Sequence, residues 1–350
     1  MAIDIPDAPV GRAAPLPLRK KRPRPADAIF HALALSAVLI LLGTLTWLLG
    51  SILISGWGAL SWDFITSQVS TNAGRAGFAS AIRGSLVLMM IVIAVAIPIG
   101  FGAAMYLEKF ASTSRAQLTS DAHVRRRRLR EMEAAGAGGM RLVVARVGVA
   151  MSFVWARVGA PLNRAIEVNI SNLAAVPSII YGLLGLALFV TFVGLQKSLL
   201  AGGLTLALLV LPIVIIAGRE ALRAVPVSIE QGAMALGATR WQAVSRQTFP
   251  AAIPGMLTGT ILALSRAIGE AAPLIVVGGV AFGTQMPSVN PLDSNETPLF
   301  AMPLQIFDWA DRPQEAFQDL AAGGIIVLLA VLVIMNSVAI YLRNRFSRRW

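Results

Sequence analysis

Apolar residues gather in six long runs, at about 29–55, 82–107, 172–194, 199–218, 253–281 and 321–342. Each is close to or above the roughly 20 residues that carry a helix across a bilayer core. Pro98, Pro177, Pro212 and Pro273 fall inside them. Membrane bundles tolerate such residues because neighbouring helices and local register shifts re-satisfy the freed backbone groups. The pattern predicts an all-α integral membrane protein with six transmembrane helices.

Polar stretches divide the chain further. Residues 1–27 form a Pro-rich tail ending in Arg19, Lys20, Lys21, Arg22 and Arg24. The run after it exceeds a signal-peptide core and no A-x-A-like site follows, which predicts an uncleaved first span. Residues 28–111 hold the first two spans, 112–164 read as a basic insertion, and 165–350 hold the remaining four. Within that last part, residues 219–255 make a patterned loop much longer than a connector.

Composition agrees. Of 350 residues, 56% are hydrophobic and only 14% charged, too little charge to cover a soluble domain of this size. The formal net charge of +12 points first to nucleic acid in a soluble protein, but in a membrane protein it marks loops that stay inside. Six basic residues precede the first span, eleven lie between 108 and 168, four between 218 and 252, and four in the tail at Arg343, Arg345, Arg348 and Arg349. The other side has Arg75, Arg83, Lys197 and Arg312, with six acids in the loop at 282–320. Six spans with both termini cytoplasmic satisfy this bias. The chain has no cysteine, which removes disulfides, thiolate metal sites and thiol nucleophiles. Neither His31 nor His123 stands in a metal-ligand or triad spacing.

One segment competes with the six-span count. The stretch from Met140, MRLVVARVGVAMSFVWARVGAPLNRAIEV, is apolar enough for a seventh span. Arg146, Arg157 and Arg164 nevertheless fall within about 20° of one another on a helix, a basic stripe suited to an amphipathic helix at the cytoplasmic membrane surface. A seventh span would also put one set of basic loops outside. The preceding VRRRRLREMEAAGAGGM reads as a solvated helix and linker, or as a segment drawn to anionic lipid.

The fifth run carries a full positive and a full negative charge, Arg266 and Glu270. Arg266 stands about 20 Å along a helix that starts near residue 253, at a depth where an unpaired charge costs about 3 kcal/mol or more. One turn apart, the two side chains can partly neutralise each other. The plainer reading is an ion pair that fixes helix packing. The functional reading is that the guanidinium faces a path for an oxyanion, with Glu270 holding it, since the planar fork can donate two parallel hydrogen bonds to phosphate-like groups. Small neighbours at Ser265, Ala267, Gly269 and Ala271 leave room for close approach.

The 219–255 loop, REALRAVPVSIEQGAMALGATRWQAVSRQTFPAAIPG, predicts a helix through Gln231–Leu236, a turn at Gly237, a second helix N-capped by Thr239, and a stop at Pro250. Met234, Leu236, Trp241 and Val244 give it apolar surface suited to docking another protein; an interfacial hairpin packing on its own spans is the bland alternative. The loop resembles that of ABC-importer permeases, whose pattern of Glu-Ala-Ala, three residues, Gly, then Pro falls on Gln231, Gly232, Ala233, Gly237 and Pro250. Gln231 stands where the pattern has Glu and Gly232 where it has Ala. Gln247 and Phe249 replace the usual aliphatic pair, and Glu230 comes one residue early.

The resemblance narrows to the PstA-type permease subunits of phosphate importers. NLAAVPSIIYGLLGLALFV, LAGGLTLALLVLPIVIIAGREALRAVP, ALGATRWQAV, LSRAIGEAAPLIVVGG, PLQIFDWADRPQEAFQ and NSVAIYLRNRFSRRW all look like that family, covering most of 80–110 and 165–350. It implies the type I importer permease architecture in a bacterial inner membrane. The partners it implies are a PstC-type permease, two ATPase subunits and a periplasmic phosphate-binding protein, with phosphate as substrate. ATP and Mg would sit on the ATPase, so this chain would be a transport subunit with no cofactor and no enzymatic site. The sequence contains no Gly-Lys dipeptide and therefore no Walker A loop. By motif match the resemblance assigns Arg266, with Glu270 beside it, to the substrate path. Rival readings are a permease for sulfate, molybdate or a phosphonate, and an ATP-independent anion channel or secondary transporter.

Overall fold

The computed structural model describes residues 25–111, 115–135, 139–279 and 299–346, and among them every regular element is helical. The basic run at 19–24, residues 282–298 of the expected outer loop, and Arg348 and Arg349 lie outside the described residues. The chain divides into two units, residues 1–51 and 52–350. The first holds most of α1 (Pro25–Trp57), a helix with no polar stripe.

The second unit continues through α2 (Trp62–Thr66), α3 (Ala79–Met105), α4 (Arg115–Ala134), α5 (Gly139–Ala174) and α6 (Ser178–Gly185). It then runs through α7 (Leu199–Arg223), α8 (Val227–Ala235), α9 (Arg240–Ala243), α10 (Phe249–Ile268), α11 (Ala272–Val277), α12 (Met302–Ala310) and α13 (Glu315–Phe346). Wide π-type turns at Tyr106–Phe110, Leu186–Phe192 and Val244–Thr248 extend α3, extend α6 and join α9 to α10.

At the centre, α7 packs against α3 and α10. Helices in lipid gain little from hiding apolar surface from one another, so close packing through small residues must hold them. Glycine supplies it here: a β-carbon at Gly100 would lie 2.6 Å from Val214 Cγ1, and one at Gly218 would lie 2.8 Å from Ala104 Cβ. Gly259 meets the Ala217 methyl in the same way on the α10 side. At one end of the bundle Phe64, Phe78 and Trp309 form an aromatic cluster with centroids 5.6–5.9 Å apart. The Met302 N–H donates to Ser85 Oγ (2.8 Å), fixing α12 against α3.

Four of the six expected spans correspond to single helices, most of which overrun the apolar runs at the charged end, and the fifth is split between α10 and α11. The third differs. Residues 172–174 belong to the end of α5, the chain breaks at Ala175–Pro177, and Ser178–Phe192 leaves at 108° to Pro161–Ala174. Pro177 cannot continue the preceding helix and holds the residue before it extended. Among the described residues six helices are long and apolar enough to cross a membrane, and these include Gly139–Gly159; the bent pair would be a seventh.

Candidate functional site

Two places in the second unit concentrate charge: a helix break within the fifth span, and the end of the bundle where α3, α5, α7 and α8 meet.

The fifth span is discontinuous. α10 stops at Ile268, and Gly269 and Glu270 turn back to donate to the carbonyls of Arg266 (3.2 Å) and Ala267 (3.3 Å). α11 begins two residues after Glu270, with Pro273 in its first turn. Proline has no N–H for the Gly269 carbonyl, so the break is written at that position. Arg266 therefore occupies the last turn of α10, about 26 Å from its start, rather than the middle of an unbroken helix.

The expected pair is formed. Arg266 Nε donates to Glu270 Oε1 at 3.1 Å, with the arginine side chain 44% exposed and the glutamate 17%. Glu270 is thus the anchored partner and the guanidinium the accessible one. Elements that the sequence does not link to this pair surround it. Tyr181 on α6 is buried, donates its hydroxyl to the Leu173 carbonyl (2.7 Å), and lies within electrostatic range of Arg266. Ser265 Oγ donates to Asn336 Oδ1 (2.8 Å) and ties α10 to α13. Gly182 lets α6 close on α11, where a β-carbon would lie 2.8 Å from Pro273 Cα.

The charged end is a network. Arg219 reaches Glu108 (3.2 Å) and Glu167 (2.7 Å), joining α7 to the end of α3 and to α5. Arg223 adds Glu108 (2.9 Å) and Glu220 (3.0 Å). Beside Glu108, Lys109 Nζ binds Glu230 of α8 at 3.2 Å, with both side chains 12% exposed. Arg240 of α9 lies over the Phe110 ring (5.6 Å) and donates to the Lys109 carbonyl. Glu230, one residue early against the permease pattern, is therefore the acid that holds α8 to the end of α3.

The loop between α7 and α10 has the expected helix–turn–helix shape. Gly237 closes α8 at φ +91°, and Ala238 donates to the Ala233 carbonyl (3.1 Å), a left-handed helix stop that glycine adopts without strain. Thr239 caps α9 in a capping box with Gln242. Of the expected docking residues, Gln231, Gly232 and Met234 are exposed, Ala233 is half-buried, Leu236 is 92% exposed and Trp241 is 57% exposed. Two expectations change. Val244 is fully buried and belongs to the core. Pro250 does not stop a helix: Phe249 donates back to Val244, and the wide turn absorbs the missing N–H so that α9 runs into α10 without a loop.

Comparison with known proteins agrees with this architecture. Residues 148–350 match the family described as "Binding-protein-dependent transport system inner membrane component". The phosphate transport system permease protein PstA 1 of Mycobacterium tuberculosis (strain ATCC 25618 / H37Rv) is 27% identical over 100% of this chain and 97% of its own length. The phosphate transport system permease protein PstA of Xylella fastidiosa (strain Temecula1 / ATCC 700964) is 29% identical over 84% and 85%. Among solved structures, a chain of the inward-facing MetNI methionine ABC transporter superposes with TM-score 0.52 at 15% identity, over 77% of this chain and 97% of that one, a likeness of fold. The chain belongs to the inner-membrane components of binding-protein-dependent transport systems, the permease subunits of ABC importers.

Proposed function

We infer that the chain is the PstA-type permease subunit of an ATP-driven importer of inorganic phosphate. It sits in the bacterial inner membrane with both termini cytoplasmic, beside a PstC-type permease, two ATPase subunits and a periplasmic phosphate-binding protein. The observation that carries this reading is the Arg266–Glu270 pair at a helix break inside an otherwise apolar span. The names of the relatives support phosphate as the cargo.

An anion crossing a bilayer loses hydration worth many kcal/mol, and a guanidinium at that depth offsets part of the loss. Glu270 occupies Nε, so the two terminal amino groups remain as a fork for two phosphate oxygens. The same carboxylate weakens the local positive field. Phosphate is met but not trapped, as a transport site requires.

ATP binding closes the partner ATPase dimer against the exposed end of α8 and α9. Lys109–Glu230 and the Arg240 contacts pass the displacement to α3. The continuous join from α9 into α10 passes it to the helix that carries Arg266 at its far end. The pathway opens outward, takes phosphate from the binding protein, and releases it inside on hydrolysis.

The test is uptake of labelled phosphate in cells carrying this chain, with and without a functional ATPase partner and against excess sulfate, molybdate or a phosphonate. Uptake that requires the ATPase and yields only to phosphate supports the reading. Selective competition by another oxyanion reassigns the cargo, and uptake that survives loss of the ATPase indicates a channel or secondary transporter.

A further inference from the structure

Among the described residues, those from 115 to 162 take no part in the ion pairs of either charged site, yet the pairing of α4 with α5 restricts where they can lie. Among the described residues the helices run side by side: His123 meets Phe153 edge-on (5.4 Å between centroids) and Glu133 binds Arg146 (2.9 Å). With α5 standing across the bilayer, residues 123–133 of α4 would share the depth of residues 146–153 of α5. That stretch carries Arg125, Arg126, Arg127, Arg128 and Arg130, all exposed. Taking Gly139–Gly159 across the bilayer would draw five arginines into it against two glutamates of the same stretch, Glu131 and Glu133, and each charge is costly there.

The face of α5 turned away from α4 is apolar, and none of the described residues covers it. Met140, Val144, Val147, Met151, Val154 and Val158 follow steps of four and three residues, so they form one stripe, and all are exposed. It runs about 27 Å along the helix. Arg146, Arg157 and Arg164 border it on one side and Arg141 on the other, each roughly 100–120° from its centre. From 122 to 166 there are nine arginines and two glutamates. The positions flanking the stripe carry Arg141, Arg157 and Arg164 and no acid, so pairing two such stripes as a coiled coil would form no flanking ion pair. An apolar stripe with basic margins instead fits a membrane surface rich in anionic lipid.

The rest of the chain gives the level. Glu167 of α5 is bonded to Arg219 at the charged end of the bundle. The 108° bend after Ala174 turns the Pro161–Ala174 part of α5 well away from the axis of Ser178–Phe192, so that part lies across the bundle end when α6 stands in the bilayer.

We propose that the α4–α5 hairpin lies on the cytoplasmic leaflet, with the Met140–Val158 stripe in the acyl boundary and its arginines on anionic lipid head groups. This placement is independent of the anion transported.

The absence of native cysteine makes the test direct. Single cysteines at successive positions from 143 to 158 are spin-labelled in the full-length chain, reconstituted in phosphatidylethanolamine vesicles with or without phosphatidylglycerol. Collision rates with oxygen and with a water-soluble nickel chelate are then measured. Oxygen should dominate at 144, 147, 151, 154 and 158 and the chelate at 146 and 157, with a helical period. Omitting phosphatidylglycerol, or replacing Arg125, Arg126, Arg127 and Arg128 by glutamine, should raise chelate access at 147 and 151 several-fold. Three results overturn the proposal: oxygen dominance around the whole circumference (a transmembrane α5), low access to both reagents at 147 and 151 (a covering protein), or access indifferent to phosphatidylglycerol.

Discussion

Replacing Lys109 by methionine removes the cation that holds α8 to the end of α3. Lys109 and Glu230 meet at 3.2 Å with each side chain 12% exposed, and the next cation, Arg240 Nε, is 4.0 Å from Glu230 and itself 61% exposed. The substitution strands a carboxylate in a poorly hydrated place, and breaking a largely buried pair from one side costs about 3 kcal/mol. Glu230 escapes that cost by swinging into water, which detaches α8. At 1.4 kcal/mol per tenfold, local opening becomes about 100-fold more frequent. Hydrogen exchange of the full-length chain in detergent reads this directly: amides at 227–235 should exchange about 100-fold faster while those at 200–215 keep their rates. Glu230→Met should do the same, because it strands Lys109. The double variant Lys109→Met/Glu230→Met should return most of the protection, since two apolar groups pack where two charges paired. Unchanged exchange in the single variants, or a double variant as open as either single, would refute the reasoning.

Leu236 is 92% exposed, so Leu236→Asp should leave thermal stability in detergent unchanged while lowering co-purification of the ATPase partner at least tenfold. Gly237 sits at φ +91°; Gly237→Val adds left-handed strain of about 1–2 kcal/mol and should reduce ATPase co-purification and speed amide exchange at 233–238. Gly100 faces Val214 with no space for a β-carbon, whereas Gly102 has nothing within 4 Å. Gly100→Val should therefore lower the melting temperature by several degrees and Gly102→Val should hardly change it.

The spans were legible because lipid removes the alternation that makes soluble helices ambiguous. What escaped were the places where a span is not straight. Ala175, Val176 and Pro177 are as apolar as their surroundings, so hydropathy alone cannot separate the end of α5 from the start of α6. Gly269 and Pro273 together end α10 at the charged pair, but each alone is ordinary in a membrane helix. The Arg266–Glu270 contact was readable because it is local, with its partners only four residues apart. Lys109–Glu230 and Arg219–Glu108 join residues 121 and 111 positions apart, and no local pattern sets that register. Tyr181 and Asn336 stayed hidden for the same reason. Val244 lies in the core against expectation, because an apolar residue in a polar loop reads the same whether it faces a partner or the chain's own core.

Arg266 carries the central claim. The most direct measurement is uptake of labelled phosphate at low concentration in cells deleted for this chain and complemented with wild type or Arg266→Ala, with equal amounts of each protein in the membrane. The account predicts restoration by wild type and at least a hundredfold lower uptake with Arg266→Ala. Near-wild-type uptake by the Arg266→Ala variant would contradict it and reduce the Arg266–Glu270 pair to a packing element.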